Sequence, residues 1–278
     1  MKSQLYIVST PIGNLDDITL RAINTLKMAD VIVCEDTRVS LKLLQHLGIS
    51  KKLISYNNYN ENEKTAFIIN LLKEGNNIAL ISDAGTPLIS DPGYVLVNQA
   101  RQENIKIEAI GGVSAPIVAL TLSGLPADKF LFLGFLDKSS NKKQETFKKY
   151  QNAEATLIFF ESPNRILDTL KDMAAVYGEQ QQAATARELS KMYEEVKLDT
   201  LNNLIAFYES SKPRGEFVVL CRPSAKPYDI NNLENLIKEH MKESVGLSTK
   251  DMSKNLAEIT NINKSIIYDK IVQYKNQL

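Results

Sequence analysis

The strongest constraint on this chain is an alternation that begins near its first residue. Short apolar or β-branched runs at residues 5–9, 31–34, 53–56, 78–82 and 105–110 take turns with amphipathic stretches at 19–28, 40–47, 61–74 and 94–102. Strand and helix patterns that alternate in this way imply successive βα units, and so an open, mostly parallel sheet. The strand runs are too uniformly apolar to show a solvent face, as expected when helices cover both sides of the sheet. Within 61–74, Phe67 with Leu71 and Ile68 with Leu72 recur four residues apart, which draws an apolar stripe along one helix face.

A second α/β region follows. Residues 130–135, 156–161, 183–188, 195–198 and 217–221 read as strands, and 166–176 reads as a helix closed by Gly178. The segment Ser123-Gly-Leu-Pro126 between the regions has the composition of a hinge. Past Pro223 the chain turns polar and lysine-rich, with three helical patterns. Ser248 is placed to cap a helix over 248–259, residues 260–263 make a turn, and 264–277 form the last helix. The last pair reads either as a helix-turn-helix or as a small helical cap. The expected division is therefore an α/β domain over 1–125, a second α/β domain over 126–224 and a helical domain over 225–278.

Composition removes several classes of function. With 44% hydrophobic residues the 278-residue chain has the means to bury a core. It has no signal-peptide pattern and no apolar run long enough to span a bilayer. Two cysteines, Cys34 and Cys221, fall inside strand runs and argue against a disulfide framework, which fits a reducing, cytoplasmic setting. Basic and acidic residues balance at 33 each, so bulk charge does not attract nucleic acid. Local charge is uneven. Lys138, Lys142, Lys143, Lys148 and Lys149 face only Glu145, and Lys212, Arg214, Arg222 and Lys226 face only Glu216. Such stretches either hold a polyanion or are simply solvated.

In an open α/β sheet, ligands bind beyond the carboxyl ends of the strands. Four loops there carry Gly, Pro, Ser, Thr or acids: Ser9-Thr-Pro-Ile-Gly-Asn-Leu15, Glu35-Asp-Thr-Arg38, Asp83-Ala-Gly-Thr-Pro-Leu-Ile-Ser-Asp-Pro-Gly93 and Gly111-Gly-Val-Ser-Ala-Pro116. These residue types allow close backbone approach and offer short hydrogen-bonding groups. No phosphate-binding P-loop and no dinucleotide fingerprint is present. Gly112-Val-Ser-Ala-Pro116 approaches a nucleophile elbow but ends in proline, and only His46 and His240 exist to serve such a serine. Two histidines and two cysteines at distant positions give no transition-metal site. In the second region Arg165, Arg187, Lys191 and Arg214 lie at strand ends or loops, where they either grip phosphates or pair with Glu161, Glu188, Glu194 and Glu216.

Six ordered motifs carry a resemblance. Thr10-Pro-Ile-Gly-Asn-Leu-Asp-Asp-Ile-Thr19, Glu35-Asp-Thr-Arg38, Ser82-Asp-Ala-Gly-Thr-Pro-Leu-Ile-Ser-Asp-Pro-Gly93, Phe160-Glu-Ser-Pro-Asn-Arg165, Ala186-Arg-Glu-Leu-Ser-Lys191 and Arg214-Gly-Glu-Phe217 resemble the bacterial 16S ribosomal RNA cytidine ribose 2′-O-methyltransferases. That family belongs to the tetrapyrrole methylase superfamily, and the resemblance covers residues 3–223 and, more loosely, the tail. It implies two α/β domains of the tetrapyrrole methylase type with a cleft between them, and a homodimer. It implies S-adenosylmethionine as cofactor, and a cytidine in the decoding region of the small ribosomal subunit as target. By position, Pro11, Asp83, Ala84, Gly85, Ser114 and Ala115 correspond to cofactor-contacting residues. The superfamily's Gly-Asp-Pro triplet reads Ser82-Asp-Ala84 here, which weakens a tetrapyrrole substrate.

Methyl transfer from a sulfonium is an in-line displacement that demands alignment more than acid–base power. A ribose hydroxyl still gains from a nearby base. Asp36, Glu161 and Glu188 are candidates, as is Lys191 if desolvation lowers its pKa. The expected assignment places Glu188, Lys191 or Asp36 at the hydroxyl and Arg38, Arg165, Arg187 and Arg214 on RNA phosphates, with no metal. A tetrapyrrole C-methyltransferase of the same fold and a non-catalytic ribosome-binding protein are the alternatives.

Overall fold

A computed structural model of the chain describes residues 3–223, 230–243, 247–260 and 264–275. The first region forms β1 (Gln4–Val8), α1 (Leu20–Met28), β2 (Val31–Cys34), α2 (Thr37–His46), β3 (Lys52–Ser55), α3 (Glu61–Lys73), β4 (Ile78–Ile81), α4 (Tyr94–Gln102), β5 (Lys106–Ile110) and α5 (Ala115–Leu122). The five strands make one parallel sheet in the order β3-β2-β4-β1-β5. Every residue of β2 and β4 is buried, as their unbroken apolar runs require. Helix starts are set by local chemistry. Thr19 accepts the Ala22 N–H and Asp36 accepts the Arg38 N–H, each satisfying a donor that the first turn leaves unpaired.

The second region forms β6 (Phe130–Phe135), α6 (Ser140–Lys149), β7 (Thr156–Glu161), α7 (Ile166–Tyr177), β8 (Gln182–Arg187), β9 (Glu195–Thr200), α8 (Leu201–Ser210) and β10 (Phe217–Cys221). Its sheet runs β6-β7-β10-β8-β9. Only β6 and β7 pair parallel, and β10 lies antiparallel between β7 and β8. Phe217 pairs with Glu161 on one side and Arg187 on the other, so β10 starts where β7 and β8 end. Helices α6–α8 cover one face over Phe147, Phe159, Leu170, Met173 and Leu204. Helix α5 covers the other, setting Ala119 and Leu120 against Ile158, Ala184 and Val218 together with Ile12 of the first region.

The tail supplies α9 (Ile230–Glu243), α10 (Thr249–Thr260) and α11 (Lys264–Lys275), packed around Leu233, Ile237, Met252, Leu256, Ile267 and Ile271. Ser248 accepts the Asp251 N–H at 3.1 Å, as a capping residue should. The turn expected at 260–263 and the boundary expected at 224–225 fall on or beside residues outside those described.

Two readings from the pattern need correction, and two helices went unread. Phe67 stays exposed, because Ile69 rather than Phe67 completes the buried face of α3 with Ile68 and Leu72. Residues 115–122 and 201–210 are helices that their composition did not announce. The lysine run at 138–149, mostly helix α6, is exposed at Lys138, Lys148 and Lys149 but not throughout: Lys143 is 3% exposed, and its ammonium is 2.6 Å from the Asp172 carboxylate. A buried cation without such a partner would cost several kcal/mol. Lys142 is paired with Asp137 as well.

Candidate active site

Because β4, β1 and β5 are adjacent and parallel, the loops that follow them are neighbours. Thr10 and Gly85 exchange main-chain hydrogen bonds of 2.8 and 3.1 Å. The Thr10 hydroxyl donates to the Ser82 carbonyl at 3.1 Å. The Ser9 and Thr86 hydroxyls lie 3.1 Å apart, and Thr86 also donates to the Val113 carbonyl at 3.3 Å. Gly85 has φ +81°, a conformation that glycine adopts without strain. At Gly112 a Cβ would sit 2.7 Å from Ser9 Cβ, so these two loops touch only because no side chain intervenes.

The facing wall is held by charge. The buried Glu161 accepts from the Ser162 N–H and Arg165 Nε, both at 2.7 Å, on one oxygen and from the Thr169 hydroxyl at 2.7 Å on the other. The Lys191 ammonium lies 3.0 Å from both Glu188 and Glu216, and the Glu216 N–H donates to Glu188 at 3.1 Å. Two contacts cross between the walls. The Ser190 hydroxyl donates to the Asp17 carboxylate, and Gly13 lies so close over Lys191 that a Cβ there would be 2.4 Å from its Cγ. Leu88, Ser90, Glu188 and Ser190 all have positive φ. Such backbone costs about 1–3 kcal/mol per residue and gathers at sites whose surroundings enforce it.

Between the walls lies a cleft of about 360 Å³, within the ~300–1,000 Å³ usual for small-molecule sites. Ile12, Phe135, Phe160 and Leu189 give it an apolar lining. Its only ionisable lining groups are the carboxylates Asp83, Asp91, Glu161 and Glu216. Glu161 and Glu216 are neutralised by Arg165 and Lys191, whereas Asp83 and Asp91 make no ion pair among the described residues. Burial, opposed by a Ser82 hydrogen bond and helped by the Asp83 charge, pushes Asp91 up to about 6. Burial likewise raises Asp83, against the Asp36 N–H that it accepts at 3.1 Å. Both carboxyls are poised to be stabilised by a cation.

The loops brought together are largely those expected. Asp83, Ala84, Gly85, Ser114 and Ala115 line the cleft, while Pro11 is buried beside the lining residue Ile12. Ser114 opens α5 without using its hydroxyl as a cap. Glu188 and Lys191 stand behind Leu189 and Glu216. Burial disfavours the Lys191 ammonium, but the pairs with Glu188 and Glu216 outweigh it and raise the pKa, so the expected neutral amine is not supplied. Burial of Glu188 is outweighed in the same way by Lys191 and the Glu216 N–H, and its pKa falls. Asp36, chelated by Arg38, drops to about 2 and is a weak base. Arg38 itself is 87% exposed beside the cleft, and Arg214 is exposed on the 212–216 turn. Arg165 is committed to Glu161, and Arg187 lies 3.5 Å from Glu195. Asp91, Thr86, Phe135 and Phe160 escaped the residue assignment. Asp91 stood in one of the loops expected to bind a ligand but was given no role, and only the fold brings Phe135 and Phe160 to the rim.

The described residues contain no helix long and apolar enough to cross a membrane and no cluster of three potential metal ligands. The profile of the tetrapyrrole (corrin/porphyrin) methylases matches residues 4–205. The chain is 47% identical over 250 residues to ribosomal RNA small subunit methyltransferase I of Rickettsia prowazekii (strain Madrid E), covering 90% of this chain and 89% of that one. It is 42% identical over 281 residues to the protein of the same name in Mesorhizobium japonicum (strain LMG 29417 / CECT 9101 / MAFF 303099), covering 99% and 94%. Among solved structures, uroporphyrin-III C-methyl transferase from Thermus thermophilus, complexed with S-adenyl homocysteine, superposes with a TM-score of 0.57 at 17% identity, covering 79% of this chain and 98% of that one. At that identity the likeness is one of fold.

Proposed function

This chain belongs to the tetrapyrrole methylases, within the ribosomal RNA small subunit methyltransferase I group, and from that premise we propose that it methylates a cytidine ribose 2′-hydroxyl in the decoding region of 16S ribosomal RNA. S-adenosylmethionine is the donor in this reading, and bound in the cleft it supplies a methyl group activated on a sulfonium. The observation that carries the proposal is the charge of the cleft, whose unpaired ionisable groups are Asp83 and Asp91. A sulfonium and an α-ammonium fit such a pocket, and a phosphate does not. The likeness to a fold solved with S-adenyl homocysteine supports the same ligand.

In this reading Asp83 and Asp91 hold the cationic donor. Ile12, Phe135, Phe160 and Leu189 exclude water from it, and Ser114 offers a hydroxyl at the start of α5. Alignment supplies most of the acceleration. Asp83 replaces Glu188, Lys191 and Asp36 as the carboxylate best suited to take the hydroxyl proton, since burial raises it while Asp36 and Glu188 are lowered. Arg38 and Arg214, exposed outside the cleft, are the cations best placed for RNA phosphates. Cytoplasmic location and a homodimer belong to the same proposal.

The test is transfer of label from methyl-labelled S-adenosylmethionine to small subunits lacking the modification, with the labelled nucleotide mapped. The expected product is one ribose-methylated cytidine. Label on a base, on a porphyrin precursor or nowhere overturns the reading. Tetrapyrrole methylation rests here on fold alone.

A further inference from the structure

Beside the donor cleft lies an open groove of about 410 Å³, lined by Glu35, Asp36, Thr37, Arg38, Ser55, Asn57, Tyr59 and Asp83. Asp83 belongs to both, so a ligand in the groove and a ligand in the cleft meet at its carboxylate. From this juxtaposition we infer that the groove is the acceptor-base site: Tyr59 stacks on an extruded cytosine, while Glu35 and the Asn57 amide read its edge. The inference deepens the functional reading above and rests on it.

The register of the sheet places these groups. Cys34 and Ser55 are paired at the ends of β2 and β3, and the Ser55 hydroxyl donates to the Glu35 carbonyl at 3.3 Å, so Glu35 and Asn57 emerge side by side. The turn that follows is fixed. The Asn57 N–H donates to Asn60 Oδ1 at 2.8 Å, and the Tyr59 N–H donates to Asn57 Oδ1 at 3.1 Å. Tyr59 is nevertheless completely exposed, at 101%. A rigid turn that holds a bare aromatic ring at the mouth of a groove is a stacking platform with nothing stacked on it.

Two further groups in the groove are unspent. The Asn57 Nδ2 amide and the half-buried Glu35 carboxylate make no hydrogen bond or ion pair among the described residues. Burial, then the charges of Asp91, Asp83 and Asp36, pushes Glu35 up, so it gains from an N–H donor. Cytosine supplies one in its 4-amino group, and its N3 accepts from an amide N–H; a carboxylate acceptor for that amine is an established mode of cytosine readout. Uracil offers a carbonyl where cytosine offers the amine and would be repelled. Three carboxylates also exclude a phosphate from the groove, so a neutral base enters while the backbone stays outside near Arg38.

The test uses the full chain, small subunits lacking the modification and S-adenosylmethionine. Tyr59→Ala is expected to lower kcat/KM for subunits by about ten- to a hundredfold, and Tyr59→Phe to restore it. Glu35→Gln and Asn57→Ala are expected to lower it about tenfold, and Glu35→Gln to shrink the preference for cytidine over uridine at the labelled position. The donor Kd, measured by calorimetry, stays within about twofold in the Tyr59 and Asn57 variants, because neither residue lines the cleft. Unchanged kcat/KM in Tyr59→Ala and Glu35→Gln, or equal losses of donor affinity, overturns the assignment while leaving the functional reading intact. If the unaltered protein transfers no methyl group to subunits, both fall together.

Discussion

The two walls of the cleft are built by different means. The wall from the parallel sheet is knitted through its backbone: Thr10 and Gly85 exchange main-chain hydrogen bonds, the Thr86 hydroxyl donates to the Val113 carbonyl, and the Gly112 backbone lies against Ser9. The wall from the mixed sheet is held by ion pairs and hydrogen bonds around Glu161, Glu188 and Glu216. The difference follows from topology. Parallel strands end on one side, so the loops after β4, β1 and β5 touch along their backbones. In the second sheet β10 starts where β7 and β8 end, and longer side chains must bridge the loops that gather there. The first wall should therefore fail when a Cβ is added, and the second when one partner of a buried charge pair is removed.

The largest effect is expected behind the second wall. Lys143→Met leaves Asp172 buried and unpaired, which costs about 3–5 kcal/mol and lowers Tm by roughly 10 °C in a melting curve. A shift under about 2 °C would show that the structure behind this wall does not depend on the buried Lys143–Asp172 pair. Next is Asp91→Asn, which removes a charge-assisted contact of about 1.5–3 kcal/mol and weakens donor binding about ten- to a hundredfold by calorimetry at pH 8.

The same variant tests the pH behaviour. Donor affinity should be level above pH 7 and fall below about 6 as Asp91 takes a proton, and it should lose that dependence in Asp91→Asn. Stability should move the other way. The raised pKa makes the folded protein bind a proton more readily than the unfolded chain between pH 3.8 and about 6. The Asp91 contribution to stability therefore declines as pH rises through that window, and Asp91→Asn should raise Tm at pH 8 while binding suffers. Smaller again is Gly85→Ala, which forces a Cβ into φ +81°. It should cost about 1–2 kcal/mol and weaken the donor complex more than Lys191→Met does. Lys191→Met breaks partly exposed pairs worth under about 1 kcal/mol and should be the mildest of the four.

What the sequence determined by itself was the set of elements and loops. Period and run length placed β2 and α4 and came within a residue of α1, because hydrophobic periodicity acts within a few residues of chain. The loops beyond the strand ends were legible from their residue types, while Asp83, Gly85 and Ser114 were singled out within them only by the resemblance. Only the tertiary structure decided what each charge does. Lys143, in a stretch read as polyanion-binding or solvated, is consumed by Asp172, and of the two readings open for Arg165 and Lys191 the structure selects pairing with Glu161, Glu188 and Glu216. Asp91 was one acid of a loop and is an acid in the cleft without an ion pair among the described residues, while Phe135 and Tyr59 became a wall and a platform. Lys143 meets Asp172 and Lys191 meets Glu216 only across the fold, and even where the partner is a neighbour in the chain, as Glu161 is for Arg165 and Glu188 for Lys191, only the tertiary structure decides between pairing and a free cation.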